Sequence, residues 1–321
     1  MREAAITATL DEATILKLKA NLFEAAHPAI DAYGWHSFPW HGNPGGGIDT
    51  YKIRSSQALA IDLFGTIKMS NDRDRIMDQL ALKVGLPTGG PWSIELEWID
   101  EENYLGELEL HRTHVDALAR SPQALIFFDC KFTENDGGIC SQAHPIRVGP
   151  KKGVVQCDGN YALQQDEPDG RAERCALTGK GILYWDAIPH VFDYSKDGNY
   201  RPCPFAGPEY QWMRQLTVCW KYAQMNNLQP ALLLIYAEGE GLAMAKKTRP
   251  AQWDALVGRV RLNRTSIVFE RYSFQEILTL ARDAAVAERD TFRELFRWVQ
   301  HKITTVCGYR DTNKRMRKSR V

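Results

Sequence analysis

The chain has 321 residues and a mass of 36.5 kDa, room for one large domain or two small ones. Apolar residues make up 44% and charged residues 25%, which excludes a disordered chain and allows a large core without disulfides. Forty basic and forty acidic side chains cancel, so no global field draws a polyanion, and a nucleic-acid partner would need a local patch. No run of roughly eighteen apolar residues occurs, so no membrane-spanning helix is expected. The N-terminus MREAAITATLDE lacks the apolar stretch of a secretory signal. Seven cysteines without close pairing favour a reducing cytoplasm.

The chain is read as a single domain over residues 1–321, beginning with an N-terminal helix and loop over 1–53. Thr9 and Glu12 fit a capping box, and Leu10, Ile15, Leu16, Leu18 and Leu22 follow at near-helical spacing, with Pro28 as the stop. Residues 34–50 (GWHSFPWHGNPGGGIDT) have the composition of a loop. A second helix is expected from Ser56 to about Ile67, capped by Ser55 or Ser56. It is apolar almost all round over Ala58–Phe64 and therefore buried. Three strands follow: Ile94, Leu96 and Trp98 alternating with Glu95 and Glu97; a less regular run over 107–119; and ALIFFDCKF over 124–132, apolar enough for a central strand. Arg120-Ser121-Pro122-Gln123 suits a hairpin turn between the last two.

Residues 133–207 form an irregular insertion containing DGG, CDGN, EPDG, TGKG and KDGN. A loop this long is functional or is held together by something. A helix from about Pro208 to Gln224 comes next, then Pro230 as a break and a buried strand over Ala231–Ala237. A strand over Ser266–Arg271 and a helical region over Gln275–Ile303 complete the order, followed by a basic tail over 310–321 carrying six basic residues and one acid. Helices alternating with strands of a short mixed sheet indicate an α/β fold.

Asp129 and Lys131 lie two apart on the apolar strand and share a face. Asp116 lies on the preceding strand, and a hairpin brings its carboxylate beside that of Asp129. Two carboxylates at the edge of a buried sheet repel unless a cation lies between them. Mg2+ suits such a pair because it takes few carboxylates and keeps water for a phosphate substrate. The lysine is a point charge that orients an attacking water or neutralises charge developing on a phosphate. By itself a D…DxK string is weakly specific; its place at the end of an apolar strand gives it weight, since charge is costly there without a reason.

This order, with Asp116 on one strand and Asp129-x-Lys131 on the next, resembles the restriction-endonuclease-like PD-(D/E)xK nuclease superfamily. Its core is a helix, three strands, a helix and a strand, here over residues 54–237. The phrases SSQALAIDLFG, DCKFTE, CDGNY, CALTGKGILYWD and CPFAGPEYQWMRQ are similar to a bacterial restriction-endonuclease-like family linked to defence systems. Asp116 follows His114-Val115 where the family pattern has proline. The resemblance implies metal-dependent DNA phosphodiester hydrolysis, with Mg2+ or Mn2+ held by Asp116, Asp129 and the backbone carbonyl of Cys130, and with Lys131 acting on the nucleophilic water. It also implies an acid or glutamine on the first core helix, for which Gln57 and Asp62 both qualify. A glutamine on the helix after the lysine strand is implied too, with Gln211 or Gln215 as candidates against the bland reading of a helix-surface residue. The partners implied are DNA, a defence-system protein and a second copy of the chain. Two rival readings are an effector active only with its partner and a non-catalytic nucleic-acid binder that retains the fold.

Cys140, Cys157, Cys175 and Cys203 all fall in the insertion, where four thiolates would hold structural Zn2+ or an iron–sulfur cluster, with His144 as a replacement ligand. No CxxC pair supports this, and free thiols are the alternative. His111 and His114 precede Asp116 and read first as hydrogen-bonded surface histidines. HExxH, GxxxxGK[ST] and GxSxG are all absent, which disfavours a zinc peptidase, a nucleotide-triphosphate loop and an α/β hydrolase. Tyr161, Tyr184, Trp185, Phe192, Tyr194, Tyr200, Phe205 and Tyr210, with Lys151, Lys152, Lys180 and Arg201, would make either a base-stacking surface or a small local core.

Overall fold

The computed structural model describes residues 10–43, 47–146, 149–150, 152–160, 175–196, 198 and 200–318, with side chains as far as Gly308. Helix α1 (Glu12–Asn21) begins at Asp11, whose carboxylate accepts from the Thr14 N–H at 2.8 Å. The expected cap, Thr9, lies outside the described residues. Pro28 does not stop α1. It stands in the first turn of a short second helix, α2 (His27–Asp31), where its missing N–H has no partner to lose. Helix α3 (Ser56–Ala60), a π turn (Ile61–Gly65) and α4 (Thr66–Met69) run on as one rod. The Ser55 hydroxyl caps the rod, accepting from the Ala58 N–H at 3.2 Å. Residues 56–67 of the rod are all buried, as its uniformly apolar sequence requires. Helix α5 (Arg73–Lys83) is an addition to the expected elements.

Strands β1 (Ser93–Ile99), β2 (His114–Arg120) and β3 (Ala124–Lys131) form an antiparallel meander. The irregular run before β2 is a 3-10 turn over Glu109–His111. The insertion contains helix α6 (Tyr184–Val191), and α7 (Tyr210–Asn226) leads back to the sheet. Asn227, at φ +54, ends α7 in the left-handed conformation that asparagine tolerates. Pro230 then lies inside β4 (Gln229–Tyr236), opposite Leu125 of β3. Helices α8 (Ala243–Lys247) and α9 (Pro250–Val260) precede β5 (Val268–Ser273). The expected last helical region is two helices: α10 (Phe274–Ala284), opened by a Ser273–Glu276 capping box, and α11 (Arg289–Lys318). The backbone of α11 thus carries the basic tail as helix up to Lys318.

The sheet order is β1-β2-β3-β4-β5, with β3, β4 and β5 parallel. Every residue of β3 is buried, which follows from a strand flanked on both edges and covered on both faces. One face packs Ile126, Phe128, Leu233 and Ile235 against Leu59, Phe64 and Leu278. The Phe64 and Phe128 rings lie 4.2 Å apart there. The other face packs Phe127, Leu232 and Leu234 against Trp212, Leu216, Trp253 and Leu256. Tyr184, Trp185, Phe192, Tyr194 and Phe205 belong to this second core, with Trp185, Phe192 and Tyr194 packed edge-on or tilted around the Phe205 ring, so these insertion aromatics face inward. Tyr161 and Lys151 lie outside the described residues. No helix among the described residues is long and apolar enough to cross a membrane.

Candidate active site at the end of the meander

The meander brings three acids into one row. Leu96 pairs with Ala117 and Trp98 with Val115, so Glu97 and Asp116 stand opposite each other between them. One step beyond the Ala117–Phe128 pair, the next register sets Asp116 against Asp129. Strands β1 and β2 both change sides at this level. Leu96 and Ala117 belong to the first core, Trp98 and Val115 to the second. The cause is visible at Glu97, whose φ is +53. A buried, non-glycine residue in that region carries about 1–2 kcal/mol of strain. The expected alternation of Ile94, Leu96 and Trp98 therefore fails at Glu97, and the glutamate is turned inward.

Asp129 is enclosed by donors. Its Oδ1 accepts from Lys131 Nζ at 2.9 Å, Gln211 Nε2 at 3.0 Å and Gln215 Nε2 at 3.1 Å, and its Oδ2 accepts from Trp212 Nε1 at 3.1 Å. Gln211 and Gln215 are four apart on α7 and so lie on one face of it. The Gln215 amide also donates to the His114 carbonyl at 3.1 Å, tying α7 to β2. Gly137 makes room for the indole: a Cβ there would lie 2.7 Å from the Trp212 ring. Asp116 Oδ2 accepts from the Cys130 N–H at 2.7 Å, which holds the end of β2 to β3. Burial alone would lower the Lys131 pKa, but Asp129, Asp116 and Glu134 outweigh it and raise it, so the side chain is an ammonium. The Cys130 thiol is pushed up by burial and then by Asp116, Asp129 and Glu97, which marks how closely the three acids converge.

These donors fit a hard divalent cation. Asp116 and Asp129 are buried carboxylates on adjacent strands, and the single ammonium of Lys131 leaves their negative charge only partly neutralised. A cation on Asp129 competes with Lys131 and the α7 amides, because about four lone-pair positions are all that a carboxylate offers.

Gln57 and Asp62, the candidates on the first core helix, each have several partners of their own. Gln57 is fully buried, accepts from the His41 N–H at 2.9 Å and from Thr50 Oγ1, and donates to the Pro39 carbonyl at 3.0 Å. It holds the 39–50 loop. Asp62 accepts from the Phe23 N–H at 2.6 Å, Trp298 Nε1 at 2.9 Å and Lys302 Nζ at 2.7 Å, contacts that join the first core helix to α11 and to the Phe23 backbone. Glu134, absent from the sequence reading, accepts from Ser56 Oγ at 2.5 Å and from the Phe132 and Thr133 N–H groups. It clamps the start of α3 to the end of β3.

Glu97 and His41, a strand position and a loop position in the sequence, also meet at this site. Glu97 Oε2 lies 2.8 Å from His41 Nε2 and 2.6 Å from His114 Nε2. Burial would raise the Glu97 carboxyl, but the two imidazoles hold it far below the usual carboxylate range. No spacing in the sequence signals this trio, since its assembly depends on the backbone turn at Glu97 and on a loop more than fifty residues away.

The four insertion cysteines share one neighbourhood. Burial, with Cys175 and Cys203 nearby, pushes the Cys140 thiol up to about 11. Burial also raises Cys157, with Cys175 beside it. Gly159 N–H lies 3.4 Å from Cys157 Sγ. No three of these sulfurs converge within 4.8 Å of one another.

No curated protein and no solved structure matches the chain. Residues 12–297 match the family described as Restriction Endonuclease associating with ARP. That span takes in the meander, α7 and β4, the helix–three strands–helix–strand core on which the carboxylates stand. The chain belongs to this restriction-endonuclease family.

Proposed function

We propose that the chain is a metal-dependent DNA endonuclease of the PD-(D/E)xK type, acting in restriction or anti-phage defence. The observation that carries the reading is the buried row of Asp116 and Asp129, with Lys131 beside it, in a chain of this family. Mg2+ or Mn2+ would be held by Asp116, Asp129 and the Cys130 carbonyl. When bound, it would supply Lewis-acid activation of a phosphate oxygen and a more acidic water. Lys131 is an ammonium with two partners, Asp129 and, at 3.4 Å, Gln211 Oε1. It therefore serves as a donor to charge developing on the phosphate and to the attacking water, not as the base that removes the proton. Gln211 and Gln215 fix the orientation of Asp129 from α7.

A partner-dependent version of the same activity is favoured by the closure of Asp129. Both its oxygens are occupied by donors, so a rearrangement of α7 or Lys131 is needed to admit a cation. The family's description names association with ARP, and such a partner would supply that rearrangement.

Plasmid nicking by the purified protein in Mg2+ against EDTA, with Lys131→Ala alongside, tests the reading. Nicking that needs metal and vanishes in the variant is expected, either from the protein alone or after the partner is added. Nicking by Lys131→Ala at the wild-type rate would remove Lys131 from the mechanism. No nicking under either condition would leave a nucleic-acid binder that retains the fold.

A further inference from the structure

We propose that His41, Glu97 and His114 form a second metal site, selective for a first-row transition cation such as Zn2+ and separate from the all-oxygen position on Asp116 and Asp129. The three ligand atoms already lie within 4.8 Å of one another. Both imidazoles approach the same oxygen, Glu97 Oε2, and the other oxygen, Oε1, is buried without a hydrogen-bond partner. A buried carboxylate with one oxygen unsatisfied is costly, and a cation held by the two imidazole nitrogens and bound by the carboxylate through both oxygens would satisfy it.

Two further features point the same way. Glu97 reaches this position only through its left-handed backbone, and strain of that kind persists where the surroundings enforce it. The loop bearing His41 is fixed by Gln57, which accepts from the His41 N–H, and by the Asp49 N–H donating to the His41 carbonyl at 3.0 Å. Ligands held this way are preorganised. At ordinary zinc–nitrogen and zinc–oxygen lengths, neighbouring ligand atoms stand roughly 3.4 Å apart in a tetrahedron. The two N–O separations of 2.8 and 2.6 Å need to open by less than about 1 Å.

The donor set decides which cation enters. Two imidazoles and one carboxylate favour Zn2+ and its neighbours over Mg2+, which takes oxygen. Three protein ligands leave a fourth position open. The side chains of His41 and His114 are 20% and 17% exposed while Glu97 is sealed, so that position is on the solvent side and would take water or a phosphate oxygen.

Co2+, a spectroscopic stand-in for Zn2+, tests the site on the full chain without reference to nuclease activity. Apo protein titrated with Co2+ in excess Mg2+ should develop ligand-field bands of a nitrogen- and oxygen-ligated ion at one equivalent. The affinity should fall by more than about 100-fold in His41→Gln and His114→Gln, and the bands should persist in Asp129→Asn. Circular dichroism checks the fold, and His41→Gln, in a half-buried loop, carries the test if His114→Gln does not fold. The proposal is overturned if the wild type develops no such bands. It is equally overturned if the bands survive in a folded His41→Gln protein, or if they carry thiolate charge-transfer absorption that disappears in Cys157→Ser.

Discussion

Lys131 bends back along its own strand to Asp129, two residues earlier, with Nζ 2.9 Å from each carboxylate oxygen. Residues two apart on a strand share a face, so the pair is built into the local sequence. Its burial comes from α7, which lays Gln211, Trp212 and Gln215 over it.

Breaking this pair should affect activity more than folding. Removing one partner of a buried ion pair costs about 3–5 kcal/mol, but three neutral donors remain on Asp129, so the loss in Lys131→Ala should be about 2 kcal/mol. Urea unfolding measures it. Nicking should fall to background in the same variant, and Lys131→Arg should not restore it, because a planar guanidinium does not replace a compact ammonium.

Asp62 should behave in the opposite way. Its carboxylate pairs with Lys302 Nζ in full burial and joins the first core helix to α11. Asp62→Ala should destabilise the protein by about 3–5 kcal/mol, and the double change Asp62→Leu with Lys302→Met should recover only part of that, because the Phe23 N–H and Trp298 Nε1 still lose their acceptor. Per folded molecule, nicking should stay near wild type. Recovered stability with lost activity would return Asp62 to the candidate site.

The carboxyl of Asp100, just after β1, is pushed up to about 6, mainly by burial and further by Glu107. An acid whose folded pKa is raised contributes stability that is complete below its unfolded value, about 4, and is lost as pH rises through about 6. Asp100→Asn removes the titration, so its stability relative to the wild type should rise between pH 4 and pH 7. A constant difference across that range would exclude this account of Asp100.

Gly137→Ala tests how closely α7 is seated. The added Cβ would meet the Trp212 ring at 2.7 Å and the Pro208 carbonyl at 3.0 Å. Overpacking of this kind costs about 1–3 kcal/mol. The indole should move off Asp129, which a shift in tryptophan emission together with reduced nicking would register. An unchanged emission spectrum would mean that the backbone absorbs the methyl group without moving the ring.

Much of the fold is legible from short-range chemistry. Ser55 caps the first core helix, ALIFFDCKF is the central strand, and Asp129 and Lys131 share a face, because capping, continuous apolar character and strand periodicity each act over a few residues. Pro28 and Pro230 were misleading for a related reason. Pro28 stands in the first turn of α2, where no helical N–H bond is lost, and α7 has already ended at Asn226 before Pro230 enters β4.

The sequence by itself determined the α/β order, the hairpin that sets Asp116 near Asp129, and the lysine two residues on. Only the tertiary structure decided that Gln57 holds the His41 loop, that Asp62 is a packing anchor, that both α7 glutamines close on Asp129, and that Glu97 turns inward between two histidines. Each of these depends on contacts between segments far apart in the chain or on a single backbone dihedral, and neither leaves a periodic trace in the sequence.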